Sequence, residues 1–208
     1  MLPDHVQQIL DDEGIIACVG TGRSGKTALS HYLAECSNKP VYLLGYPSEA
    51  LQMCPPDWKS VTPEQVFNLQ DCTLILDDAA LFLSSRDFAD DWAKKWVRFQ
   101  TIISHKGITL IFSIQSMNLL DICVLRSQRM SVLYKFSDLV NVMYERAEFK
   151  RVAIAARNHI THARNLYPET HSKSWVWDHT MGRAWSHPLA NHWDQSLSIP
   201  YKFYNIGA

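Results

Sequence analysis

Gly20-Thr21-Gly22-Arg23-Ser24-Gly25-Lys26-Thr27 fits the pattern G-x-x-x-x-G-K-[ST], and its flanks decide how it reads. Before it runs Ile15-Ile16-Ala17-Cys18-Val19, apolar on both faces as a strand buried inside a parallel sheet is. After it, Leu29, Leu33 and Cys36 share one face of a helix expected from Lys26 to Cys36. Between a buried strand and a helix, such a loop turns successive backbone N–H groups toward phosphate oxygens, and the helix N-terminus adds its positive end. Thr21, Gly22, Arg23, Ser24, Gly25, Lys26, Thr27 and Ala28 are therefore expected to cradle the phosphates of ATP. Lys26 would reach the β- and γ-phosphates and the Thr27 hydroxyl would bind Mg²⁺. The alternative is a glycine-rich helix entry that holds no ligand.

Fifty-one residues beyond Lys26, the run Thr73-Leu74-Ile75-Leu76 closes on Asp77-Asp78. A hydrophobic strand ending in a carboxylate beside a phosphate loop places an anion where a metal-bound water sits, which is the reading for Asp77; the second acid, Asp78, is positioned to activate the attacking water. Helix capping after Ala79 is the alternative for both. A further strand, Ile108 to Ile114, ends at Gln115, whose amide can donate to a γ-phosphate and accept from the lytic water. Lys26, Asp78 and Gln115 are thus the candidate catalytic residues.

Around these segments the chain alternates helix and strand. A short helix is expected from Asp4 to Asp12, strands over Val41–Leu44 and Ser131–Phe136, and a helix begun by Thr62-Pro63-Glu64-Gln65. Phe88, Trp92, Trp96, Phe99 and Ile103 set out a longer helix ended by Gly107, and a short helix is expected around Leu119 to Leu125. Pro47 to Lys59 reads as irregular, Asp138 to Arg164 as helical, and Ser174 to His187 as a hairpin turning near Gly182. This alternation predicts an α/β fold with a mostly parallel sheet. It divides into an ATPase core over 1–145 and a C-terminal extension, helical and then hairpin, over 146–208, packed on the core.

These motifs make the sequence resemble the FtsK/HerA-type P-loop ATPases, over about residues 14 to 140. The segments that carry the resemblance are Val19 to Thr27, Leu74-Ile75-Leu76-Asp77-Asp78-Ala79 and, most distinctively, Gly107-Ile108-Thr109-Leu110-Ile111-Phe112-Ser113-Ile114-Gln115. The small size and the tail, with Ser174-Trp175-Val176-Trp177-Asp178, Gly182, Pro188 and Trp193, are similar to the genome-packaging ATPases of internal-membrane, double-stranded DNA viruses. The resemblance implies a three-layer, RecA/ASCE-like P-loop NTPase with the Gln115 strand between the phosphate-loop strand and the Asp77 strand. It implies a homo-oligomeric ring, hexameric or pentameric, that draws double-stranded DNA through its channel. Viral capsid or portal-vertex proteins would be its partners, and the host cytoplasm or the packaging vertex its location. Two positions depart from the pattern: Asp78 stands where relatives usually have Glu, and Ser104 where many have an arginine. Arg98, Arg126 and Arg129 are the candidates for the arginine that completes a neighbour's site. A DNA-transfer or filamentous-phage assembly ATPase is the alternative within this fold, and a nucleotide-dependent switch or small-molecule kinase the alternative outside this function.

Composition narrows the field. The 208 residues carry a net charge of −1, which argues against a uniformly basic nucleic-acid binder. That figure joins two unlike parts: residues 1–145 hold 12 basic and 17 acidic side chains, residues 146–208 hold 8 and 4. Arg146, Lys150, Arg151, Arg157 and Arg164 fall on the predicted C-terminal helix, and Lys150, Arg151 and Arg157 are candidate contacts to a DNA backbone; a solvated helix face is the alternative. Trp175, Trp177, Trp185 and Trp193 are expected to pack a hairpin over the sheet edge, with stacking on adenine or on a neighbouring subunit as the other reading. The five cysteines are widely spaced and read as reduced core thiols. No apolar run reaches the roughly 18 residues of a membrane span.

Overall fold

The computed structural model describes residues 2–12, 14–80, 91–120 and 130–198. Runs of apolar and β-branched residues form the sheet. They are β1 (Ile15–Val19), β2 (Val41–Leu44), β3 (Lys59–Ser60), β4 (Thr73–Leu76), β5 (Thr109–Ile114), β6 (Met130–Tyr134), β7 (Trp175–Asp178) and β8 (Arg183–Ser186). These strands lie in the order β3-β2-β4-β5-β1-β6-β7-β8. Every pair from β3 to β6 is parallel, while β7 pairs antiparallel with β6 and β8 antiparallel with β7.

Because successive side chains of a strand point to opposite faces, the interior strands supply two separate cores. On one face Ile15, Ala17, Val19, Leu74, Leu76, Leu110, Phe112 and Ile114 pack with Trp96, Phe99, Ala153, Ala156 and Ile160. Those partners come from α5 (Asp91–Ile102) and α7 (Ala147–Leu166). On the other face Ile16, Cys18, Val41, Leu43, Ile75 and Ile111 meet Val6, Leu10, Leu29 and Leu33. These belong to α1 (Asp4–Asp11) and α2 (Lys26–Cys36). The result is the three-layer α/β arrangement expected from the alternation of elements.

The structure adds detail to three local expectations. Pro47 to Lys59 contains a helical turn, α3 (Ser48–Leu51), and ends in the edge strand β3, whose two residues pair with Tyr42 and Leu43. The helix begun at Thr62 is a single turn, α4 (Pro63–Val66), held by the Thr62 N–H donating to Gln65 Oε1 at 2.9 Å. The stretch from Asp138 to Arg164 is two helices, α6 (Leu139–Met143) and α7. Glu145 breaks it by turning inward, where its carboxylate accepts from the Met117, Asn118 and Arg146 N–H groups and from Ser116 Oγ. Phe88 and most of the helix expected from Leu119 to Leu125 lie outside the described residues.

The C-terminal hairpin does more than cover an edge, since β7 and β8 extend the sheet itself. Trp175 and Trp177 are buried against α7, and the β7–β8 turn is fixed by Asp178, whose Oδ1 accepts from the Thr180 and Met181 N–H groups. His5 of α1 contacts the other carboxylate oxygen of this fully buried residue. Among the described residues no helix is long and apolar enough to cross a membrane, and Cys18, Cys36, Cys54 and Cys72 are free thiols.

Candidate functional site

The parallel order places the ends of β1, β5 and β4 side by side, so the segments that leave them share one crevice, the usual ligand position in an open α/β sheet. From β1 comes the loop Gly20–Gly25. Gly20 is held by its N–H donating to the Ile114 carbonyl at 3.1 Å. A Cβ at Gly20 would lie 2.8 Å from Ser24 Oγ and 2.9 Å from Lys135 Cβ, so a side chain there would force the loop open. Gly25 takes φ +92°, a left-handed value that other residues adopt only with strain, and hands the chain into α2.

The loop is shaped for an anion. Within α2 the first amide to find a backbone acceptor among the described residues is Leu29, which donates to Gly25; the turn before it keeps its N–H groups for something else. Ser24 Oγ is buried without a hydrogen-bond partner in the same place. Lys26 Nζ donates to the Thr21 carbonyl at 2.9 Å, which holds the ammonium across the loop. Burial lowers the Lys26 pKa, and the Asp77 and Asp78 carboxylates oppose that shift. Free amides, an unpartnered hydroxyl and a poised cation together fit a polyphosphate.

From β4 come the two acids. The buried carboxylate of Asp77 faces the Thr27 hydroxyl at 3.3 and 3.4 Å, so two hard oxygen donors converge, as Mg²⁺ requires. Asp78 takes φ +48°, in the left-handed region where Asp and Asn are enriched among non-glycine residues. The Asp78 pKa is raised, by burial first and by Asp77 second, with Lys26 acting the other way.

Between these two strands runs β5, and it contributes a residue the motif reading passed over. Ser113 Oγ donates to Asp77 Oδ1 and accepts from the Asp78 N–H at 3.0 Å, so one hydroxyl fixes both acids. Its signal in the sequence is a lone polar side chain inside Leu110-Ile111-Phe112-Ser113-Ile114. Ser113→Ala is expected to slow ATP turnover and to cost about 1–3 kcal/mol through the unsatisfied groups left behind, checked by steady-state ATPase assay and urea unfolding. Gln115 follows two residues later, exposed at the strand tip next to the Ile114 carbonyl that anchors Gly20.

Known structures share this fold. The chain is similar to the DNA-packaging ATPase B204 from Sulfolobus turreted icosahedral virus, with a TM-score of 0.56 over 86% of this chain and 98% of that one, at 14% identity. The chain shares the mixed α/β fold of this P-loop NTPase. The genome-packaging NTPase B204 from Sulfolobus turreted icosahedral virus 2 gives the same picture. Its complex with AMP has a TM-score of 0.53 at 12% identity, over 86% of this chain and 98% of that one. Its complex with ATP-gammaS has a TM-score of 0.51 at 15% identity, over 86% and 99%. No protein-family model matches the sequence, and no curated protein matches it at the sequence level. Within this P-loop ATPase fold, β5 lies between β1 and β4, which is the order the resemblance implied.

The remaining candidates are spread more widely. Arg98 is exposed on α5, and Arg126 and Arg129 lie outside the described residues. On α7, Lys150 and Arg151 are exposed, with Lys150 Nζ donating to the Met143 carbonyl at 3.0 Å. Arg157 turns inward instead, with its guanidinium 5.8 Å from the Phe136 ring centre, and Arg164 sits over the same ring at 4.4 Å. Phe136 adjoins the phosphate loop, since its carbonyl accepts from Thr21 Oγ1 at 3.2 Å.

Proposed function

We propose that this chain is an ATP-hydrolysing motor that moves double-stranded DNA into a viral capsid. The observation that carries the reading is the meeting of Lys26, Thr27, Asp77, Asp78 and Gln115 at the ends of three adjacent parallel strands. The similarity to genome-packaging ATPases over nearly their whole length supports it. In the reaction, Asp78 takes a proton from a water whose oxygen bonds to the γ-phosphorus. The bond from that phosphorus to the β–γ bridging oxygen breaks, and ADP leaves with the electron pair. Lys26 neutralises charge on the β- and γ-phosphates, and Gln115 orients the water. Thr27 and Asp77 would hold Mg²⁺, which supplies further neutralisation of the phosphate oxygens when bound. In a ring of identical subunits, hexameric or pentameric, Arg98, Arg126 or Arg129 would complete the neighbour's site. The exposed Lys150 and Arg151 would meet the DNA backbone. Capsid or portal-vertex proteins would be the docking partners, in the host cytoplasm or at the packaging vertex.

ATP turnover with and without duplex DNA tests the proposal. Duplex DNA is expected to accelerate turnover, with the half-saturating DNA concentration rising steeply with salt as phosphate contacts require. Lys26→Ala is expected to lose both turnover and stimulation. Phosphoryl transfer to a small acceptor, with no response to DNA, would overturn the motor reading in favour of a kinase.

A further inference from the structure

Directly after β6, at the end of Val132-Leu133-Tyr134, the chain carries Lys135, a fully buried lysine that the mechanism above does not use. Its backbone N–H donates to the Val19 carbonyl at 2.6 Å, which fixes it beside the start of the phosphate loop. Its stem then runs along the underside of that loop. Lys135 Cβ lies 2.9 Å from where a Cβ on Gly20 would be, and Lys135 Cε 3.5 Å from the same point on Gly25. The ammonium ends on two acceptors of the C-terminal segment, the Lys173 carbonyl and His187 Nε2, the latter at 2.9 Å. His187 Nδ1 donates to the Pro188 carbonyl at 2.7 Å, so Nε2 is the ring atom with a free lone pair. Lys173 is itself against the loop, its carbonyl oxygen 3.1 Å from the Gly25 Cβ position.

No carboxylate pairs with Lys135 among the described residues. The titratable groups that face it are Cys18 of β1, Arg164 of α7 and His187. Burial holds the Cys18 thiol up at about 12 and therefore neutral; it holds His187 down at about 3, also neutral. Arg164 is a second cation. A buried ammonium without a counter-ion is costly, and burial lowers the Lys135 pKa to about 7. The one place in this neighbourhood built to receive negative charge is the phosphate loop on the other side of the stem.

We propose that Lys135 is a positioning residue that couples nucleotide occupancy of the phosphate loop to the C-terminal segment 173–187, its buried charge being stabilised by the bound polyphosphate. The inference rests on the nucleotide reading of the loop. Bound phosphates favour the protonated amine, and the charge strengthens its hydrogen bonds to Lys173 and His187. Nucleotide binding then tightens the segment that leads into and out of the hairpin, and by linkage a tightened segment favours nucleotide.

Calorimetric titration with ADP at pH 8, in buffers of different ionisation enthalpy, reads the coupling. At that pH the terminal phosphate, with a second pKa near about 6, is already ionised. The native chain is expected to take up a fraction of a proton, up to about one, per ADP bound. Lys135→Met is expected to lose that uptake and to bind ADP about fivefold more weakly at pH 7, as a one-unit pKa coupling implies where half of the free amine is already charged. Lys135→Arg is expected to restore affinity without the uptake. Hydrogen exchange at Lys173, Ser174 and His187 is expected to slow with ADP in the native chain and not in Lys135→Met. ADP binding that depends on Lys26 but draws in no proton in the native chain overturns the inference, whether or not the Lys135 variants fold. The same uptake in native and Lys135→Met does so too. Absence of ADP binding, or binding indifferent to Lys26→Ala, instead removes the nucleotide reading on which it rests.

Discussion

Asp78→Asn is expected to bind ATP nearly as well as the native chain and to hydrolyse it on the order of 10²–10⁴-fold more slowly, the usual effect of removing a positioned general base. The substitution is clean for a backbone reason. Asp78 sits at φ +48°, and asparagine tolerates that region about as readily as aspartate does, so its N–H stays on Ser113 Oγ. What disappears is the proton acceptor. Single-turnover hydrolysis and fluorescent-nucleotide binding, measured on the same preparation, separate the two effects. The raised pKa of Asp78 adds a second signature. A base with a raised pKa is protonated at a higher pH than an ordinary carboxylate. Turnover of the native chain therefore falls on the acid side before it would for an unperturbed aspartate, and that limb is missing in the residual activity of Asp78→Asn. Lys26→Ala differs in kind, because it removes a cation that faces both acids, and it should weaken binding as well. Native-like turnover in Asp78→Asn would end the role assigned to this residue.

The parts of the molecule that repeat a simple rule were legible in the sequence. Strands β1, β2, β4 and β5 are runs of apolar residues buried on both faces, and the loop at Gly20 needs its glycines whatever the rest of the chain does. Much of the site followed from these, because strand ends in a parallel sheet converge. What was not legible depends on contacts across the sheet. Ser113 looks like any small polar residue until β5 is known to lie beside β4, where its hydroxyl meets Asp77 and Asp78. Lys135 looks like a charge that ends a strand until β6 is placed against β1 and the loop above it. The break between α6 and α7 is invisible to periodicity because its cause, Glu145, bonds to amides nearly thirty residues earlier. The tail showed its aromatic content, but not that its hairpin would continue the sheet. Arg157 was grouped with Lys150 and Arg151 by helical spacing; the structure separates them, since an aromatic ring at Phe136 draws it toward the phosphate loop.

A second large effect concerns acid. Two histidines are buried in neutral form, and the unfolding constant is expected to rise as much as about 100-fold per pH unit below the ordinary histidine range, or about 2.7 kcal/mol of stability per unit. His31 is fully buried on α2, with Nε2 2.9 Å from the Tyr46 hydroxyl and Nδ1 2.9 Å from His192 Nε2. His192 Nδ1 lies 2.8 Å from Glu35 Oε1. A carboxylate at the end fixes the direction of the chain: His192 donates to Glu35, His31 to His192, and Tyr46 to His31. Burial, reinforced by His192, lowers the His31 pKa to about 3. His187 is lowered to about 3 by burial and by Lys135, which faces the same nitrogen. In the unfolded chain both titrate near 6.5. Above that value neither state holds the protons and stability is unaffected; as pH falls toward 3 the unfolded state gains two that the folded state refuses, so stability is progressively lost. Urea unfolding between pH 7 and about 5 reads this slope, because carboxylates with ordinary pKa values near about 4 are still ionised there; the lowered Lys135 adds to it near pH 7 and the raised Asp78 works against it toward pH 5. His31→Gln removes one of the two groups and is expected to reduce the limiting dependence to about tenfold per unit, beneath a constant loss of stability from the broken relay. A native chain whose stability is level from pH 7 to 5 would mean that His31 and His187 accept protons in place, and at His31 the Nε2 atom would then have to donate to the Tyr46 hydroxyl instead of accepting from it.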